Sequence, residues 1–179
     1  ANTSGGPGFA PEVTFSAPSR TFTGTMELRL ATSDTNAVIR YALGTNVVTE
    51  ASTAYTAPLV LNGTTFIRAR AFVPGLFPGP LRSESYLRLA ANVLSRTSNL
   101  PVMVLHNLGK GTVPGPEADQ FVAVQVFEPR YGRTALTNAP DLAVPAIFHR
   151  RGSSTLGMEK ASFFVETRDE FGNDRHVSI

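Results

Sequence analysis

The sequence predicts a mainly all-β chain built as two consecutive β-rich units, the first a small β-sandwich. Three observations predict it. Val, Thr, Phe and Ala are abundant, and charged residues make up only 17% of the 179 positions, a balance that favours strands over helices. Apolar and polar residues alternate with period two in several short runs, and no stretch of ten or more residues repeats at helical spacing. The 15 Gly and 13 Pro cut the chain into short segments bounded by turn signals, the pattern of sandwiches and barrels.

The elements follow in order. "ANTSGGPGFAPE" reads as a flexible leader, placed at 1–11. "EVTFSAP" is the first strand-like run. In "TMELRLAT", Met26, Leu28 and Leu30 share one face and Glu27 and Arg29 the other, which is a half-buried strand. "AVIRYAL" repeats the pattern. In "APLVLNGTTFIRARAFV", Asn62-Gly63 lies between two strand-like runs and predicts a hairpin with a type I′ turn. Beyond it Phe66, Arg68 and Arg70 face one side, and Ile67, Ala69 and Ala71 the other. "PGLFPGP" is a loop, and "SESYLRLAA" closes a first unit over 12–90.

Residues 91–98 are polar and read as a linker, with one helical turn over Ala90 to Ser95. The second unit, 99–179, opens with the buried-looking strand "LPVMVLHNLG" and the loop "KGTVPGPEAD". "QFVAVQVFEP" sets Phe121, Ala123, Gln125 and Phe127 against Val122, Val124 and Val126. "RYGRTALTNAPDLAVP" reads as loop and turn, "AIFHRRG" and "ASFFVETRD" as strands, and "EFGND" as a turn. "RHVSI" opens another strand, which stops in mid-pattern at Ile179.

Bulk properties exclude several classes. A net charge of +2 with scattered arginines argues against nucleic acid. The absence of Cys excludes disulfides and thiolate metal sites. No apolar run approaches the roughly 18 residues of a membrane span. His106, His149 and His176 are far apart and fit no zinc motif. Ser, His and acidic residues are present, but no nucleophile-elbow motif is.

"AVIRYALGTNVVTEASTAYTAPLVLNGTTFIRARAF", Ala37 to Phe72, closing on Tyr86, resembles the C-terminal sandwich module of chitobiase and β-hexosaminidase. The resemblance covers roughly Pro11 to Leu89, and Gly44-Thr45-Asn46 replaces that family's Asp-Gly-Ser turn. It implies an immunoglobulin-like accessory rather than a catalytic unit. Leu100-Pro101, then Arg151, Gly152, Ser153, Ser154, Lys160, Ser162, Phe163, Arg168, Asp169, Glu170, Gly172, Asn173, Asp174, Val177 and Ser178 resemble the opening third of a CotH-type, spore-coat kinase-like domain. In that family the metal-binding acids and much of the nucleotide pocket lie further along.

"RRGSSTLGMEKASFF" spaces Gly152 and Gly157 as a phosphate loop does, but Met158 stands where Lys is required and Lys160 comes two places late. The run after it is strand-like, so the helix N-terminus that such a loop needs is missing. Two readings remain. The CotH resemblance makes Arg151, Ser153 and Lys160 phosphate contacts, with ATP and a divalent metal as cofactors. The plainer reading is a turn whose glycines supply positive φ, with no cofactor. Asp169 and Asp174 in "RDEFGND" are oxygen ligands of the type Ca²⁺ takes, but a solvated turn explains them as well. Stacking on a sugar ring needs exposed aromatics; there is no Trp, and Tyr41, Tyr55 and Tyr86 fit core or edge positions. Leu76 and Phe77 in "GLFPG" are the best apolar contact, and Val177 with Ile179 an open strand edge. Asn2-Thr3-Ser4 and Asn62-Gly63-Thr64 match the glycosylation triplet.

The function expected is a non-catalytic, extracytoplasmic structural or interaction module, secreted or on the cell surface, within a larger protein. Its expected partners are a protein or a second copy through strand edges, or a surface glycan. The alternatives are a fragment of a CotH-type phosphotransferase binding ATP and a carbohydrate-binding adhesion module.

Overall fold

The computed structural model describes residues 7–116, 118–152 and 159–177. The first strands are β1 (Thr14–Phe15), β2 (Arg20–Phe22), β3 (Met26–Leu28), β4 (Leu30–Ala31), β5 (Val38–Leu43), β6 (Thr53–Ala54), β7 (Leu59–Leu61), β8 (Thr65–Phe72) and β9 (Arg82–Arg88). After a 3-10 turn at Ala91–Val93 come β10 (Thr97–Ser98), β11 (Val102–His106), β12 (Gln120–Phe127), β13 (Thr134–Ala135), β14 (Leu142–Arg151) and β15 (Ser162–Thr167). Among the described residues the chain is all-β apart from that turn, as its composition predicts. It divides into two compact units. The first holds the described residues as far as Pro18 together with Gly24–Glu84; the second holds Ser19–Thr23 and the chain from Ser85 onward. The second unit therefore contains β2, and the division falls inside β9.

In the first unit, β5 pairs antiparallel with β8 and β6, β3 with β7, and β1 with β4. The period-two run around Met26 is correct in its faces: Leu28 and Leu30 are buried, while Glu27 and Arg29 are exposed and pair at 2.6 Å. The run nevertheless splits at Arg29, and its two halves pair with different strands. In β8, Ile67, Ala69 and Ala71 are buried, as alternation predicts, and Phe66 is buried with them. Leu28 and Ile67 are fully enclosed, and each such side chain contributes about 1.5–3 kcal/mol of hydrophobic stabilisation.

The predicted hairpin at Asn62-Gly63 is a correction. β7 pairs with β3, with Leu28 opposite Leu59, and β8 pairs with β5. The loop therefore carries the chain from one sheet to another. Gly63 does not take the positive φ of a type I′ turn, and the Thr65 hydroxyl donates to its carbonyl at 2.8 Å. The leader also ends earlier than its composition indicates. Ala10 is buried, and Phe9 bridges to Phe77.

The second unit is built on the antiparallel sheet β11-β12-β14-β15. Val122, Val124, Val126, Val144, Ala146 and Phe148 form the core of one face, with Leu105, Val113, Leu142 and Val177 packed against them. β12 is buried on both faces, so Gln125 is enclosed although alternation grouped it with apolar residues. Its amide donates to the Ser85 carbonyl at 2.9 Å and hydroxyl at 3.0 Å. β2 and β9 pair in parallel, with Arg20 opposite the buried Tyr86, and the Thr21 hydroxyl donates to the Leu136 carbonyl at 2.5 Å.

Four readings change here. β14 starts at Leu142, inside the segment read as loop, and runs through Pro145. That proline is tolerated because its carbonyl accepts from Arg168 N at 2.9 Å on the β15 side, just beyond the end of β15, where a return N–H bond is dispensable. Thr134–Ala135, also read as loop, is β13 and pairs with β10, a strand inside the stretch read as linker. β11 is an edge strand with Met103 about half exposed, not a buried one. Arg175 to Val177 form no strand, and Ser178 and Ile179 lie outside the described residues.

Candidate functional site

In the first unit the apolar contact expected at Leu76 and Phe77 lies on one loop. Gly75, at φ +81°, turns the chain after Val73, and Leu76 N closes the turn on the Val73 carbonyl at 3.1 Å. Phe77 N then donates to Gly8 at 2.9 Å, and Ala10 N to Phe77 at 2.8 Å. These two bonds hold Phe9 beside Phe77, with ring centroids 5.5 Å apart and planes tilted by 39°. Phe9 is 73% exposed, Phe77 49% and Leu76 39%. An aromatic pair fixed by backbone hydrogen bonds yet open to water is a pre-organised contact surface. Leu76 and Phe77, the residues expected as an apolar contact, are exposed on this loop. Phe9 was missed because its low-complexity surroundings concealed a bridge to a residue 68 positions on.

A shallow cleft of about 300 Å³ adjoins Leu76. Val38, Phe72 and Pro74 supply apolar walls, and Arg40 and Glu50 supply opposite charges. The Arg40 guanidinium is steadied by donation to the Ser52 carbonyl at 3.1 Å.

In the second unit the phosphate candidates are only partly described. Arg151 ends β14, Lys160 precedes β15, and both are exposed; Ser153 lies outside the described residues. The acidic turn is resolved in detail. The Asp169 carboxylate accepts from Phe171 N at 2.8 Å, Asn173 N at 2.8 Å and Asn173 Nδ2 at 3.0 Å. The side-chain bond from Asn173 is the main reason that its pKa falls below the ordinary carboxylate range. Asp174 pairs with Arg168, which also holds Glu166. Both aspartates thus build the turn, and among the described residues no group of three acidic or histidine side chains converges as metal ligands. Val177, expected at an open edge, packs on the core instead.

The structure adds an arrangement that sequence reasoning missed. His149 on β14 holds Asp119 through Nδ1 at 2.8 Å and stacks on Phe164 of β15, with ring centroids 4.8 Å apart at 12°. His149 and Phe164 are register partners across the ladder, and that register cannot be read from spacing alone. At the far end of the sheet, His106 Nδ1 accepts from Leu108 N at 3.0 Å, and burial lowers its pKa.

The family model of the chitobiase/beta-hexosaminidase C-terminal domain matches residues 17–79. The match supports the module type inferred for the first half of the chain, an immunoglobulin-like accessory domain of carbohydrate-active enzymes. A search among curated proteins and another among solved structures returned no match.

Proposed function

We propose that this chain is a non-catalytic, extracytoplasmic interaction module, part of a larger cell-surface protein or assembly. The observation that carries the reading is the match of residues 17–79 to a domain that serves enzymes as an accessory. The Phe9–Phe77 pair with Leu76 supplies the contact surface such a module needs. Exposed aromatics at the centre of an interface usually dominate its energy.

A second reading is favoured by the same family match: the contact is to a carbohydrate. The cleft beside Leu76 offers apolar walls for the faces of a sugar ring, and Arg40 and Glu50 for its hydroxyls. Surface labelling of intact source cells with a membrane-impermeant reagent tests the location; a chain labelled only after lysis contradicts it. Pull-down on chitin and peptidoglycan separates the readings. Retention lost on Arg40→Ala selects the glycan, whereas no retention on either polymer removes it and leaves a protein contact.

A further inference from the structure

We propose that β15 is a self-pairing edge, joining antiparallel to the β15 of a second copy about a two-fold axis at Phe163. The inference deepens the interaction-module reading and rests on it. Arg168 N donates to Pro145 and Arg150 N donates to Pro114, on the opposite side of β14 from β15. Inward and outward groups alternate along an antiparallel ladder, so Phe164 and Glu166 turn their N–H and C=O toward β14, and Phe163, Val165 and Thr167 turn theirs outward. The Thr167 carbonyl is occupied by Arg175 N at 3.0 Å. Among the described residues nothing pairs with the outward groups of Phe163 and Val165.

The same two residues carry exposed apolar side chains, Phe163 at 48% and Val165 at 37%. Edge strands are ordinarily guarded by Lys, Pro or a bulge, and "SFFVET" has none of the three; its single charge, Glu166, is held by Arg168.

Two independent constraints select the register. A two-fold pairing centred on Val165 or Phe164 has to use the outward groups of Thr167, which Arg175 closes. Pairing centred on Phe163 avoids Thr167 and uses only groups without a backbone partner among the described residues, with Val165 opposite Ala161 of the second copy. That register also sets Lys160, which is exposed, opposite Glu166 of the other copy, twice per dimer, whereas the Phe164-centred register sets Lys160 against Arg168. Charge and backbone availability therefore agree on one centre.

The chain has no Cys, so single cysteines report the register cleanly. At the axis, Phe163→Cys brings two Cα atoms to about 5.5 Å, within disulfide range. Val165→Cys leaves its two copies about 13 Å apart along the strand. Light scattering over a concentration series is expected to show a monomer–dimer equilibrium for the unmodified chain. Mild oxidation is expected to yield a covalent dimer for Phe163→Cys and none for Val165→Cys. Lys160→Glu, at an exposed site, is expected to weaken dimerisation about tenfold because two pairs are reversed. Circular dichroism checks that each variant is folded. An unmodified chain that stays monomeric at every concentration overturns the proposal, as does a dimer that links through Val165→Cys and not through Phe163→Cys. A monomer leaves the module reading standing; that reading fails separately, if labelling places the chain inside the cell.

Discussion

Gly79 shows how little freedom single positions have in the first unit. A Cβ there would lie 2.6 Å from the Pro11 carbonyl oxygen and 2.8 Å from that of Ala10. Both atoms belong to backbone that the Phe9–Phe77 bridge holds in place, so neither can withdraw. Gly79→Ala is expected to cost about 2 kcal/mol or more in urea unfolding, the scale of overpacking a close approach. A cost under about 0.5 kcal/mol would mean that the strap formed by residues 8–11 is loose. His106 sets a pH dependence. Its pKa is lowered in the folded chain, so on acidification the unfolded chain takes the proton first. The stability concerned is present above the unfolded value of about 6.5 and is lost as pH falls through the folded value. Protonation also removes the acceptor for Leu108 N, which holds Leu108 at φ 53°. The melting temperature is expected to fall more between pH 7 and pH 5 in the native chain than in His106→Asn, whose amide oxygen can accept without titrating. Parallel curves would remove His106 from the account.

Elements were legible wherever local pattern and pairing agree. The alternation in "TMELRLAT" and "TFIRARAF" gives the buried faces of β3, β4 and β8 correctly, because face depends on the pleat alone. Pairing partners depend on the whole chain, and there the reading failed. Asn62-Gly63 has the composition of a hairpin turn, yet β7 is taken by β3 and β8 by β5. Pro145 hid the first half of β14 because a proline ordinarily marks a loop; only the end of β15 beside it explains its place. The corrected topology predicts that Gly63→Ala changes stability by less than about 0.5 kcal/mol, since its φ is ordinary and its Cβ meets open space. A loss well above about 1 kcal/mol in thermal unfolding would restore the tight-turn reading.

At the scale of the whole molecule, composition sufficed for the all-β class, and the residues of Ala37 to Phe72 for the accessory module that the family match supports. The exposed apolar cluster on which the proposed contact rests was half legible. Leu76 and Phe77 stand out because Gly and Pro flank them, while Phe9 emerges only when the bridge closes. The acidic turn suggested ligand chemistry that its own hydrogen bonds consume, since a carboxylate that builds a turn and one that waits for a cation have the same sequence. The most direct test of the account is retention of the purified chain on cell-envelope material from its source, compared with the double variant Phe9→Asp/Phe77→Asp. The account predicts saturable retention that falls at least about tenfold in the folded double variant, the effect of removing two aromatic anchors. Equal retention of both proteins, or none for either, would contradict it.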